Sequence, residues 1–298
     1  MTETAACTYE TIYYTLWETA QRYGQVAQFR VIGKSHDERM IPMLELGTGE
    51  EAVFCLAGLC GTERLMPTYL LWMIQEYVKA WECKWSLEEI YDVRQLLEDW
   101  KLCFIPVLNP DGYEIYEKDF TVIRNPIYRQ MLRVQDISCR NYVCNARGMD
   151  IQKNFPTNYY RRKKIYQQPA SENETKALIR IFQEYTGRGL LSFGHAGRRI
   201  VYFRQPQSFS ANQKSYRLAR HLQKRAGFRM EKYTLDMEKK DIPDVSGGGS
   251  PEQFYAEVFR QPSFRIEIPS AEDEENSACT AEEYQEIHTL PLEYLFSL

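Results

Sequence analysis

The chain is poor in the groups that most readily mark a site. Only four histidines, at 36, 195, 221 and 288, occur in 298 residues, so imidazole chemistry has few places to reside. Its eight cysteines (7, 55, 60, 83, 103, 139, 144 and 279) include no CxxC pair and no small-scaffold spacing. That excludes a zinc ribbon or a disulfide framework and points to free thiols in a reducing compartment. No apolar run approaches the roughly 18 residues of a membrane span, and the opening MTETAACTYE lacks the basic start and apolar stretch of a secretory signal. Neither sign of charge dominates: 37 Lys and Arg face 41 Asp and Glu. No basic face is therefore offered to nucleic acid, and the one dense basic cluster, YYRRKKIY (159–166), reads as a solvated loop. The expectation is a cytoplasmic protein with neither nucleic-acid nor membrane partners.

What is present is an ordinary globular composition, 44% apolar and 26% charged, with a core to bury. Apolar and aromatic residues at 9, 12, 13, 16, 17 and 20 have helical spacing and stop at Gly24. Extended candidates follow at 27–33, 40–47 and 51–58, the third apolar enough to be buried on both faces. Pro67 opens a long helix, a second helix is expected from Ser86 to Trp100, and KLCFIPVL (101–108) is an interior strand stopping at the NPDGY turn. Residues 113–158 have poor periodicity and read as a long excursion. SENETKALIRIFQEYTG (171–187) carries a Ser N-cap with Glu three residues on. LLSF (190–193) and RRIVYF (198–203) are strands around GHAG. A helix near 211–226, a flexible SGGGS turn (246–250), a strand PSFRIEIP (262–269), an acidic loop SAEDEEN (270–276) and a helix near 280–296 complete the chain. Strands alternating with helices predict an α/β fold, and no linker marks a domain boundary, so residues 1–298 read as a single domain.

Few residues stand out chemically. Cys60 and Glu63 lie three apart where a buried strand gives way to a helix, and thiolate and carboxylate are both competent zinc ligands. His195 sits at a strand end flanked by Gly194 and Gly197, where a metal or substrate can approach. Glu267 shares one strand face with Arg265, as a candidate general base or as half of a surface ion pair.

Taken in order, these segments resemble the zinc carboxypeptidase family: IGKSHDER, LAGLCGTE, FIPVLNPDGYE, NARGMDIQKNFP, SENETKAL and PSFRIEIP correspond to its motifs along nearly the whole chain. NARGMD, KNFP and the run into GGGS are most similar to bacterial members acting on γ-D-glutamyl-diaminopimelate peptides of the cell wall. The resemblance implies a central mixed, mostly parallel twisted sheet flanked by helices. It also implies zinc held at Cys60, Glu63 and His195, a water activated by the metal, and Glu267 as the proton acceptor. Gln152 and Lys153 match the pair that grips the substrate's terminal carboxylate, and Arg39 a cleft-lining arginine. Substrates would be peptides or muropeptides with a free carboxylate.

The chain departs from the pattern at several of these positions. Cys60 replaces a histidine, and Lys153 replaces an arginine's bidentate fork by a point charge. Tyr142-Val143 stands where relatives carry an aromatic and then a basic residue, with Arg140 and Arg147 as the nearest replacements. SPEQF (250–254) changes the specificity pocket. Counting back from VYF puts His195 at the third ligand position, whereas counting forward from LLSF puts Gly194 there. Three readings follow: a metallocarboxypeptidase, a catalytically degenerate relative that binds peptide carboxylates, and a thiol hydrolase using Cys60 with His195.

Overall fold

A computed structural model describes residues 4–135, 137–158, 168–195, 197–203, 209–233, 249–268 and 278–298. The basic cluster, most of the SGGGS turn and the acidic loop lie outside the described residues. In chain order, β1 (Thr4–Ala5) and α1 (Tyr9–Arg22) precede β2 (Ala27–Lys34), β3 (Met40–Leu46), β4 (Glu51–Leu56) and α2 (Leu65–Cys83). A small hairpin, β5 (Ser86–Leu87) and β6 (Tyr91–Asp92), leads to α3 (Val93–Asp99), β7 (Trp100–Ile105), α4 (Pro110–Lys118) and α5 (Pro126–Arg133). Then come α6 (Asn173–Glu184), β8 (Thr186–His195), β9 (Arg199–Phe203), α7 (Phe209–Ala226), β10 (Arg229–Tyr233), α8 (Pro251–Phe259) and β11 (Ser263–Ile268). The described chain ends with β12 (Ala278–Cys279), α9 (Ala281–Ile287) and α10 (Leu290–Phe296).

Eight strands form one sheet in the order β10-β9-β11-β8-β4-β7-β3-β2. Four of its contacts are parallel and three antiparallel, so the sheet is mixed and mostly parallel, as the α/β expectation required. Interior strands read as unbroken apolar runs because each face is covered by helices. On β4, Val53 and Cys55 enter one core with residues of α1, α2 and α7, while Ala52, Phe54 and Leu56 enter the other with α6 and α8. Cys55 and Cys103 are fully buried filler within these cores. Among the described residues no helix is long and apolar enough to cross a membrane.

Local chemistry explains where the elements differ from their sequence pattern. The expected helix from Ser86 to Trp100 is a hairpin followed by a short helix: Lys84, Glu88 and Glu89 take left-handed backbone, and α3 starts only where the Asp92 carboxylate accepts from Gln95 N–H. The last helix is broken in two, with Pro291 opening the second piece where its missing N–H does no harm. The Ser171 hydroxyl donates to Glu172 instead of capping α6. The edge strand β10, mostly half-buried and charged, has no apolar run to announce it.

NPDG is a bracket as well as a turn. Asn109 caps α4 by accepting from Gly112 N–H and donates from Nδ2 to Leu59 O at 3.1 Å, which holds the turn after β4. Asp111 accepts from the Ser35 hydroxyl at 2.6 Å and from Arg39 Nη1 at 3.0 Å. The 57–64 turn lies directly on this bracket: a Cβ on Gly61 would meet Gly112 O at 2.3 Å and Tyr142 O at 2.9 Å, so only glycine allows the approach. Further along, Asn145 Nδ2 donates to Glu172 at 2.8 Å, and His36 Nε2 lies 3.2 Å from the same carboxylate. Burial, with the charges of Asp111 and Glu172, pushes Glu174 up to about 8. Against its own burial, Glu172 is held down to about 2 by hydrogen bonds from His36, Ser171 and Asn145.

Two outcomes follow for stability. Gly61→Ala should lower stability by about 1–3 kcal/mol, read as a shifted denaturation midpoint, because the atoms it meets are backbone; an unchanged midpoint would contradict the close approach. Between the ordinary value of 4.5 and about 8, the folded chain keeps a Glu174 proton that the unfolded chain has released. This residue's contribution therefore falls as pH rises through that window. Relative to the unsubstituted protein, Glu174→Gln should gain stability on going from pH 5 to 8.5, by about 1–3 kcal/mol, and equal pH profiles would refute the assignment.

Candidate functional site

The turn leaving β4 presents Cys60 and Glu63 together. Gly58, with φ +61°, begins it where a Cβ would meet Pro106 O at 2.8 Å. Glu63 is buried; its Oε2 accepts from Leu59 N–H at 3.0 Å, and its Oε1 accepts from Gln152 Nε2 at 3.1 Å and Arg265 Nη2 at 2.7 Å. Cys60 Sγ lies 3.1 Å from the Thr62 hydroxyl. Burial first, then the charge of Glu63, pushes this thiol far above its ordinary value, which leaves no thiolate for nucleophilic attack.

The third position is decided by strand register. β11 pairs in parallel with β8, Glu267 beside Gly194 and Ile268 beside His195. Registered neighbours project to the same face, so Gly194 shares the face of Glu267 and Arg265, and His195 the opposite one. A Cβ at Gly194 would stand 2.3 Å from Arg265 Nη2 and 2.8 Å from Glu63 Oε1, which places this residue within the site. His195 is not brought to Cys60 and Glu63. Burial, set against the charge of Glu283, pushes its imidazole down to about 4, and its Nε2 has no hydrogen-bond partner among the described residues. The forward count from LLSF is the one the structure follows; a slip of one residue moves a side chain through the sheet.

Arg265 fills the space between these residues. Its Nη2 meets Glu63, its Nε donates to Glu267 Oε1 at 3.1 Å, and its Nη1 lies 3.5 Å from Glu252 Oε1. Burial opposes its charge, but the three carboxylates keep it protonated. Glu252 comes from the first turn of α8, whose cap is Ser250. The other oxygen of Glu267 accepts from Arg199 Nε, and Arg199 also pairs with Glu231 at 3.1 Å. The residues present do not fit zinc: Gly194 offers no donor, and both Glu63 oxygens already accept hydrogen bonds, one of them from the Arg265 guanidinium.

The remaining expected residues divide. Gln152 reaches the site through its hydrogen bond to Glu63, and Lys153, partly exposed beside it, pairs with Asp150 at 2.9 Å. Arg39 does not line the cleft; it is buried in ion pairs with Asp37 at 2.6 Å and Asp111, and it donates to Val122 O. Arg147 lies 3.4 Å from Glu172, and Arg140 stands over the Tyr116 ring at 4.7 Å. His36, Glu172 and Glu174 bring ligand-type atoms within 4.8 Å of one another, but Asn145, Ser171 and Arg147 occupy those carboxylates as part of the bracket. Arg265 was visible in the sequence only as a partner for Glu267. Strand alternation carries the further signal that both side chains enter one buried face. Glu252 had no signal beyond its place at a helix start.

Comparison with known proteins bears on the family and the fold. The zinc carboxypeptidase family profile matches residues 12–287. No curated protein sequence matches the chain. Among solved structures, bovine thrombin-activatable fibrinolysis inhibitor in complex with tick carboxypeptidase inhibitor is similar at TM-score 0.70 and 16% identity, covering 98% of this chain and 96% of that one. Carboxypeptidase A from Helicoverpa armigera is similar at TM-score 0.69 and 14% identity, covering 98% and 74%. A metallo-carboxypeptidase from Burkholderia cenocepacia is similar at 0.66 and 13%, covering 98% and 69%. With the profile spanning almost the entire sequence and the same sheet beneath it, the chain belongs to the zinc carboxypeptidase family.

Proposed function

We propose that this family member receives peptides by their free terminal carboxylate and does not hydrolyse them. The observation that carries the reading is Arg265, seated between Glu63 and Glu267. Hydrolysis in this cleft would need an activated water and a carboxylate presented to take its proton. Here both Glu267 oxygens already accept from guanidinium groups, one from Arg265 and one from Arg199. At the positions the family resemblance gives to the first and third metal ligands stand the buried Cys60 and, by the β8–β11 register, Gly194.

The family resemblance assigns the substrate carboxylate to Gln152 and Lys153; Gln152 hydrogen-bonds Glu63, and Lys153 is partly exposed beside Asp150. An ammonium attracts as a point charge without a fork, so binding should be moderate and salt-sensitive. Candidate ligands are peptides with an unblocked C-terminus. Cell-wall peptides containing γ-D-glutamyl-diaminopimelate are the first to try, because NARGMD and KNFP are most similar to the members that act on them.

Calorimetric titration with one peptide in free-acid and amidated forms tests the carboxylate. The free acid should bind more tightly, and Lys153→Gln should weaken it about tenfold, roughly 1.4 kcal/mol. Equal affinity for both forms would remove the carboxylate from the account. Incubation with the same peptides, with and without added zinc, should release no C-terminal residue. Chelator-sensitive release that Glu267→Gln abolishes would instead establish the metallocarboxypeptidase reading.

A further inference from the structure

We infer that Arg265 is the permanent cation of this cleft, taking the electrostatic place of a metal ion and closing the site to divalent metals. Carboxylates from three separate elements converge there: Glu63 from the turn after β4, Glu252 from the start of α8 and Glu267 from β11. All three are buried. Buried carboxylates need a counter-charge at contact distance, and the guanidinium supplies one with its three nitrogens aimed at three different acids. Unlike an ion, it is attached to the sheet and cannot be chelated or exchanged.

Gly194 is the second, independent observation. It lies beside Glu267 in the register, and its missing side chain is what makes room for the guanidinium, since a Cβ there would stand 2.3 Å from Nη2. A side chain at 194 therefore requires the Arg265 guanidinium to leave its present place against Glu63. This inference concerns what holds the carboxylates together, so it stands or fails independently of whether the cleft binds peptides.

The test uses zinc alone, with bound metal per chain after gel filtration and melting temperature with and without zinc as readouts. Wild-type protein should retain no zinc and melt at the same temperature in zinc and in chelator. Arg265→Ser leaves Glu63, Glu252 and Glu267 without the guanidinium they share. It should melt lower than wild type in chelator and recover by about 3 °C or more in saturating zinc. Arg265→Ser combined with Gly194→His should hold one zinc per chain, and cobalt in its place should show a thiolate charge-transfer band from Cys60. Stoichiometric zinc in the wild type would overturn the inference, as would an Arg265→Ser protein that melts like wild type and ignores zinc. Should Arg265→Ser not fold, Gly194→His alone decides. With the guanidinium retained it should melt lower than wild type and take up no zinc, and a zinc-loaded Gly194→His protein would refute the exclusion.

Discussion

A guanidinium among three buried carboxylates is stable only if each acid is held at the right distance by a different part of the fold. Glu63 arrives on a turn, Glu252 on a helix start and Glu267 on a central strand, so the contacts of Arg265 tie three elements to one point. Removing one partner from such a cluster strands charge in a region poor in water, at a cost of about 3–5 kcal/mol for a buried pair. The β8–β11 register, the glycine at 194 and the position of α8 all serve this arrangement. A one-residue slip of β11 would turn Arg265 and Glu267 away from Glu63.

Behind the site, a second polar network holds the turn that carries Cys60 and Glu63. Asn109 donates to Leu59 O, Gly112 lies against Gly61, and Asp111 joins Ser35 and Arg39 to the start of α4. Asn145, His36 and Glu172 extend the network to the excursion and to α6. The chain keeps the fold of the zinc carboxypeptidase family around this network.

The sheet was readable in the sequence because β4, β7 and β8 hold apolar runs bounded by turn residues, β11 alternates, and NPDG marks where β7 ends. Cys60, Glu63 and Gln152 were found as residues of one site, since their motifs place them there. His195 was harder: two counts differing by one residue point through opposite faces of β8, and only the pairing with β11 distinguishes them. Arg39 was expected in the cleft, but its two acidic partners, Asp37 and Asp111, bury it. The clustering of His36, Asn145, Glu172 and Glu174 joins residues over a hundred positions apart without local pattern, so no periodicity could reveal it. Arg265 was seen as a neighbour of Glu267, but its contacts with Glu63 and Glu252 are tertiary facts.

The central claim is that a side-chain cation, and not a metal, neutralises this cleft. Crystals grown with zinc and measured on both sides of the zinc absorption edge test it most directly. The account predicts guanidinium density joining Glu63, Glu252 and Glu267, with no anomalous peak between them. An anomalous peak bonded to Cys60 and Glu63, with Arg265 swung out of the cleft, would contradict it.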